Sequence, residues 1–207
     1  MLKLFYALNT CALASHIALE EAGARYESVR LNFANADQTK PEYLAVNPKG
    51  RVPALVTDRG IITETPAILV YIAQTHPQAK LAPLDDPFAL AKMQAFNSYL
   101  CSTVHVAHAH QRRGKRWANL DASIADMQSK VQENMTACFE LIEREMFAGP
   151  WVMGRDYSVA DGYLYTIELW LEGDKVDIAR FPKVHDHFQR MSARPAVQRV
   201  LAEERAP

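Results

Sequence analysis

The spacing of apolar residues changes along the chain, from strand-like alternation to long helical stripes. Leu2 to Tyr6 predicts a strand with Leu4 and Tyr6 on one face, followed by the loop Ala7-Leu8-Asn9-Thr10. Cys11 to Ala22 predicts a helix whose apolar side holds Leu13, Ile17, Ala18 and Leu19, with Gly23 as a left-handed cap. From Tyr26 to Phe33, Val29, Leu31 and Phe33 alternate with Ser28, Arg30 and Asn32, which predicts a strand with one wet face. Ala34 to Lys40 is polar and reads as loose, and Pro41-Glu42-Tyr43-Leu44 as one helical turn. Asp58-Arg59-Gly60 predicts a hairpin turn between Ala54-Leu55-Val56 and Ile61-Ile62-Thr63. Thr65 to Thr75 carries Ala67, Ile68, Tyr71 and Ile72 at helical spacing, and His76-Pro77 stops it. The order β-α-β-(α)-β-β-α is that of a thioredoxin-like domain, assigned to residues 1–77.

Gln78 to Pro87 has no period and reads as a linker, so residues 88–207 form a second, all-helical domain. One long helix is expected from Phe88 to about His110. Ile124, Met127, Val131, Met135, Cys138 and Ile142 step by three or four as one buried stripe, ended by Phe147-Ala148-Gly149-Pro150. Ser158-Val159-Ala160-Asp161 predicts an N-cap with an acid at the third helical position, opening a helix with Leu164, Ile167 and Leu171. Phe181-Pro182 and Arg194-Pro195 each open a shorter helix.

Composition narrows the function classes. The chain has 207 residues, 49% apolar and 23% charged, which is ordinary globular usage with room for a core. A formal net charge of −1 argues against wholesale binding to nucleic acid or anionic membrane. There is no apolar run long enough to span a bilayer, and the N-terminal stretch is too short for a signal peptide. Cys11, Cys101 and Cys138 are odd in number and far apart, which suits a reducing cytoplasm and no disulfide framework.

The candidate chemistry centres on Asn47-Pro48-Lys49-Gly50-Arg51-Val52-Pro53-Ala54-Leu55 and on Glu64-Thr65-Pro66. Pro53 cannot donate to a central sheet ladder, so it stands at a strand start, an edge or a bulge. A cis bond between Val52 and Pro53 would turn the Val52 N–H and C=O outward, free to pair with an extended peptide. Glu64 and Thr65 open a helix whose free N–H groups favour an anion. The two stretches together describe a pocket for a small peptide with a carboxylate. Cys11, at a helix start, is the candidate reactive thiol, against a bland role as a small apolar filler. Lowering a thiol from about 8.5 to about 6.5 takes roughly 2.7 kcal/mol, and a helix terminus supplies about 0.3–1. A second donor or cation is therefore required if Cys11 ionises. His105 and His108 share a helix face, but no acid or thiol has a matching spacing, so no metal is assigned. Gln111-Arg112-Arg113-Gly114-Lys115-Arg116-Trp117 suits an acidic cosubstrate or nucleic acid, with a solvated helix end as the favoured reading.

These residues resemble the glutathione S-transferase family, and Tyr6, Ala7 and Cys11-Ala12-Leu13-Ala14 with His16-Ile17 resemble its bacterial beta class. The resemblance implies glutathione as cosubstrate, a small apolar electrophile as second substrate, and a homodimer. It implies that Val52, beside Pro53, holds the cysteinyl part of glutathione, and that Glu64 and Thr65 hold the γ-glutamyl end, with Lys49 in the same binding motif. Cys11 then contacts the glutathione sulfur, and His105 donates or relays protons beside it. Gly154-Arg155-Asp156-Tyr157-Ser158-Val159-Ala160-Asp161 resembles the family's helix-capping signature, which makes Ser158 and Asp161 folding residues. The chain departs from the class pattern at Val106, where the class has Lys, and at Asn35, Asp37 and Gln38, where a loop Lys is replaced with only Lys40 nearby; Arg112, Arg113 and Arg116 are the candidates to replace these two cations at the glutathione carboxylates. Conjugation of glutathione to apolar electrophiles is the expected activity. Thiol–disulfide exchange by Cys11 and non-catalytic glutathione binding are the alternatives.

Overall fold

The computed structural model describes residues 1–205. β1 (Leu2–Tyr6), α1 (Ala12–Glu21), β2 (Tyr26–Arg30), α2 (Pro41–Leu44), β3 (Ala54–Thr57), β4 (Gly60–Thr63) and α3 (Thr65–Thr75) form the first unit. Its sheet has the order β2-β1-β3-β4, with β1 parallel to β2 and the other pairs antiparallel. This is the thioredoxin-like arrangement, and it places the starts of α1 and β3 side by side. All-helical structure follows: α4 (Pro87–Tyr99), α5 (His105–Arg113), α6 (Asp121–Ser129), α7 (Val131–Leu141), α8 (Val159–Glu168), α9 (Pro182–Ser192) and α10 (Pro195–Arg205). Among the described residues, no helix is long and apolar enough to cross a membrane.

α1 joins the two halves. Every residue from Ala12 to Leu19 is buried, because one face lies on the sheet and the others meet α3, α8 and α10. A helix covered on all sides needs no polar stripe, which explains its weak amphipathicity. Gly23 ends it at φ +62°, with the Ala24 N–H bonded to the Leu19 carbonyl. His16 is fully buried within the same junction, its Nδ1 3.0 Å from Glu204 on α10 and its ring against Tyr6 and Tyr26.

The structure departs from the sequence pattern in three places. β2 stops at Arg30 rather than Phe33, because Asn32 turns the chain: its side chain accepts the Ala34 N–H while Asp37 accepts the Asn32 N–H at 2.7 Å. The segment expected to be loose therefore forms two short 3₁₀ turns, with Lys40 paired to Asp37 at 2.6 Å. The expected single stripe from Ile124 to Ile142 is broken at Lys130 into α6 and α7, and Ile124 and Met127 are only half-buried. The long helix through residue 110 is continuous but passes through a π turn at Leu100–Val104. There the Ser102 hydroxyl bonds the Ser98 carbonyl at 2.8 Å, and the His105 N–H reaches back to Leu100. A hydroxyl competing for a helical carbonyl loosens the ladder and re-aims the residues that follow.

α8 is capped as its sequence implies. Ser158 accepts the Ala160 N–H, and Asp161 accepts the Ser158 and Val152 N–H groups, each at 2.7 Å. The buried His187 lies between Asp161, at 3.3 Å, and Glu168, at 2.8 Å. Burial alone would lower the His187 pKa, but the two carboxylates outweigh it and hold the imidazole up at about 9. A raised folded pKa adds stability that is fully present below the unfolded value, about 6.5, and is lost as pH rises through about 9. The difference in melting temperature between the native chain and His187→Gln should therefore shrink from pH 6.5 to pH 9. A difference independent of pH in calorimetric scans would contradict this role.

Candidate active site

The loop before β3 is built from its own sequence. Asn47 accepts the Lys49 N–H and donates to the Arg51 carbonyl at 2.6 Å, which also receives the Tyr43 hydroxyl at 2.6 Å. Gly50 supplies the left-handed position at φ +61° and packs with its missing Cβ 3.1 Å from the Gln38 carbonyl. The chain then enters β3 through a cis Val52–Pro53 bond. Pairing of β3 with β1 begins only at Ala54, opposite Phe5, so the Val52 amide lies outside the ladder. Its carbonyl faces the Cys11 thiol, with Sγ 3.7 Å away.

Next to it stands the start of α3. Glu64 has φ +72°, a conformation that a non-glycine residue keeps only when its surroundings impose it. Lys49 pairs with the Glu64 carboxylate and donates to the Thr63 hydroxyl at 2.7 Å, which ties the motif loop to this turn. Thr65 is buried, with its hydroxyl toward Cys11. Pro66 has no N–H, so the donors at this end come from Thr65 and Ala67. Cys11, Val52, Pro53, Glu64, Thr65, Cys101 and His105 line one cavity of about 150 Å³. Six of the seven residues singled out in the sequence meet there; Lys49 stands at its edge through Glu64.

A larger cavity of about 610 Å³ opens from the first and shares Cys11, Arg51, Val52, His105, Ala109 and Arg116 with it. His108 and Trp170 stack in its wall at 4.3 Å, and His108 is held by the buried Asp174 at 2.8 Å. That acid lies 66 residues away, so no local spacing announced it. His105 lies 5.0 Å from Trp170. Arg112, Arg113 and Arg116, part of the basic run first read as a solvated helix end, also line this cavity. Lys40 and Val106 supply no charge to it. Among the described residues, no cluster of His, Cys, Asp and Glu suits a metal ion.

Electrostatics decide the protonation states. Burial raises the Cys11 pKa above its ordinary value, and Thr65 offsets this only in part. The helix start, expected to favour a thiolate, is thus outweighed by desolvation, and the thiol is neutral at pH 7. Burial also lowers His105, to about 4, with help from His108, Arg113, Arg116 and Arg51. At neutral pH His105 is an uncharged imidazole facing the cavity. Its ring carbons should titrate with a midpoint near 4 in nuclear magnetic resonance spectra of the ligand-free protein. A midpoint at 6 or above would show that neither burial nor the neighbouring cations act on it.

Comparison with known proteins gives a consistent picture. Residues 1–74 match the model of the glutathione S-transferase N-terminal domain, and residues 96–195 that of the C-terminal domain. The chain is 29% identical over 206 residues to glutathione S-transferase GstA of Escherichia coli O157:H7, covering 98% of each. Among solved structures it is similar to a glutathione transferase homolog from Sulfitobacter with bound glutathione, at 48% identity and a TM-score of 0.95, covering 98% of each chain. It is similar also to a sphingomonad glutathione S-transferase complexed with glutathione, at 33% identity and a TM-score of 0.86, with 98% of each chain covered.

Proposed function

The chain belongs to the glutathione S-transferase family, and from that premise we propose how its cavity binds glutathione and which reaction follows. Glutathione is the cosubstrate. Its cysteinyl unit pairs with the Val52 N–H and C=O, which lie outside the ladder directly before Pro53. Its γ-glutamyl carboxylate takes the Thr65 N–H and hydroxyl at the start of α3, and its ammonium takes Glu64, with Lys49 fixing that side chain. Pro53 shapes the turn. The sulfur then arrives at Cys11 and His105.

The observation that carries the reading is the raised Cys11 pKa beside an unladdered Val52 carbonyl. Thiol–disulfide exchange needs a thiolate at Cys11. A neutral thiol is instead a hydrogen-bond donor. Once the tripeptide takes the Val52 carbonyl, the Cys11 S–H is released to donate to the glutathione sulfur and stabilise its thiolate. The uncharged His105 imidazole, held at about 4, is too weak a base to keep the thiol proton, which leaves to solvent; its N–H can donate to the sulfur instead, and the cationic wall favours the anion. The thiolate attacks an electrophile whose flat apolar body lies against Trp170, a sulfur–carbon bond forms, and the leaving group departs as an anion.

Cys11→Ser keeps a donor at this place and should retain conjugation of chlorodinitrobenzene within a few-fold, while Cys11→Ala loses about tenfold or more in kcat. Thr65→Val should raise the glutathione KM by about tenfold, the effect of one hydrogen bond to a charged group. Loss of conjugation in Cys11→Ser together with full activity in Cys11→Ala would sink the donor role and return exchange to the front.

We also propose a cytoplasmic homodimer. Ile61 in the first unit and Phe88 in the second are large apolar residues left 45% and 74% exposed, the kind of surface that an oligomer covers. Light scattering on the purified protein should give twice the chain mass of 23.3 kDa, and a monomer mass at micromolar concentration would exclude the dimer.

A further inference from the structure

The larger cavity carries a charge that the conjugation of an apolar electrophile does not use. Arg51, Arg112, Arg113 and Arg116 line it, and its lining includes no Asp or Glu. Arg144, Arg180, Arg190, Arg194 and Arg199 are ion-paired elsewhere on the chain; these four, like Arg25, Arg59 and Arg155, have no ion pair among the described residues, but only these four share one cavity. Three of them are close enough to act on one another. The Arg116 pKa is lowered by partial burial and then by Arg113 and Arg51. The acids closest to hand are already engaged: Asp174 with His108, and Glu64 with Lys49. These side chains are exposed, so solvent screens their mutual repulsion, but they leave the cavity a one-signed positive field that favours an anion.

The fold holds this cluster in place. α5 ends in Arg112 and Arg113, where cations meet the negative end of the helix. Gly114 then lets the chain turn under α6, since a Cβ there would stand 2.8 Å from Ile124. That contact aims Arg116 back at the cavity. Arg113 lies 5.9 Å from the Phe33 ring on the facing wall. Trp170, mostly buried and stacked on His108 at 4.3 Å, lines the same cavity as the arginines and Cys11.

Glutathione does not account for the whole cluster. On the transferase reading proposed above, its γ-glutamyl carboxylate sits at Thr65, and Arg51, next to Val52 and in the lining of both cavities, is the guanidinium nearest in sequence for its glycyl carboxylate. Arg112 and Arg113, at the end of α5, line the larger cavity alone, and Arg116, on the turn after it, lines both. Resting on the transferase reading, we propose that the second substrate is an organic anion: an electrophile whose flat unsaturated body lies on Trp170 and whose carboxylate, or equivalent acid group, is held by Arg112, Arg113 and Arg116. Guanidinium recognises such groups in a two-pronged geometry that lysine does not reproduce.

The test uses a matched pair, chlorodinitrobenzoate and its neutral primary amide, each rate divided by the uncatalysed rate with glutathione. Sulfur–carbon bond formation expels chloride in both, so the acid group is the only difference. The acid should exceed the amide in normalised kcat/KM by about tenfold or more, and the double variant R112Q/R116Q should bring the ratio close to one, chiefly through the KM of the acid. Calorimetry with unreactive dinitrobenzoate and dinitrobenzamide on the glutathione-saturated protein gives the same comparison without chemistry. Equal binding of acid and amide, or a ratio unmoved by R112Q/R116Q, overturns the inference. Two glutathione molecules per chain, with dinitrobenzoate displacing only one, would assign the cluster to a second glutathione and also overturn it. If neither electrophile is conjugated but the acid still binds preferentially and R112Q/R116Q abolishes that preference, the anion site stands and the transferase reading fails.

Discussion

An amide left out of a sheet is the constraint on which this site depends. β3 pairs with β1 from Ala54 onward, and Pro53 has no N–H to extend that pairing. The Val52 peptide groups are therefore spare hydrogen-bonding capacity at the edge of a cavity, and spare capacity of that kind seeks a partner. Everything around it is arranged to keep it spare and positioned. Asn47 and Tyr43 take the preceding carbonyl, Lys49 ties the loop to Glu64, and α1 holds Cys11 against the Val52 oxygen. α1 in turn is fixed from the far side by α8 and α10, so helical packing in the second half sets the position of a thiol in the first.

The electrostatics follow from where charge is absent as much as from where it is present. Cys11 and His105 are both buried enough to prefer their neutral forms. Two neutral donors beside a cationic wall suit a site in which the charge arrives with the ligand. Had Cys11 been ionised at rest, it would compete with the incoming sulfur for the same cations. The arginines that depress His105 also supply the field in which a bound thiolate is favoured, so one cluster sets both the resting state and the reacting one.

Local features were readable in the chain, and long-range ones were not. Val52-Pro53, the Thr65 helix start and the Ser158–Asp161 cap each lie within a few residues of sequence, and turn and cap chemistry announces them. Two breaks in regularity escaped because their cause is a single side chain acting on a neighbouring backbone: Asn32 ending β2, and Ser102 loosening the helix before His105. Asp174 behind His108, and the meeting of Arg51 with the basic run Arg112–Arg116 around one cavity, were invisible for a different reason. Their elements meet only after α5, α6 and α8 pack, and a net charge of −1 averaged over the chain conceals a strongly basic wall. The positive φ of Glu64 belongs to the same class, being imposed by the turn from β4 into α3 rather than by its own preference.

The most direct measurement is a crystal structure of the protein with glutathione bound. The account predicts antiparallel pairing between the cysteinyl unit and both Val52 backbone groups, with the glutathione sulfur within hydrogen-bond reach of the Cys11 Sγ and no covalent bond between them. A tripeptide held elsewhere, with the Val52 carbonyl still facing the Cys11 thiol as it does at 3.7 Å here, would contradict it.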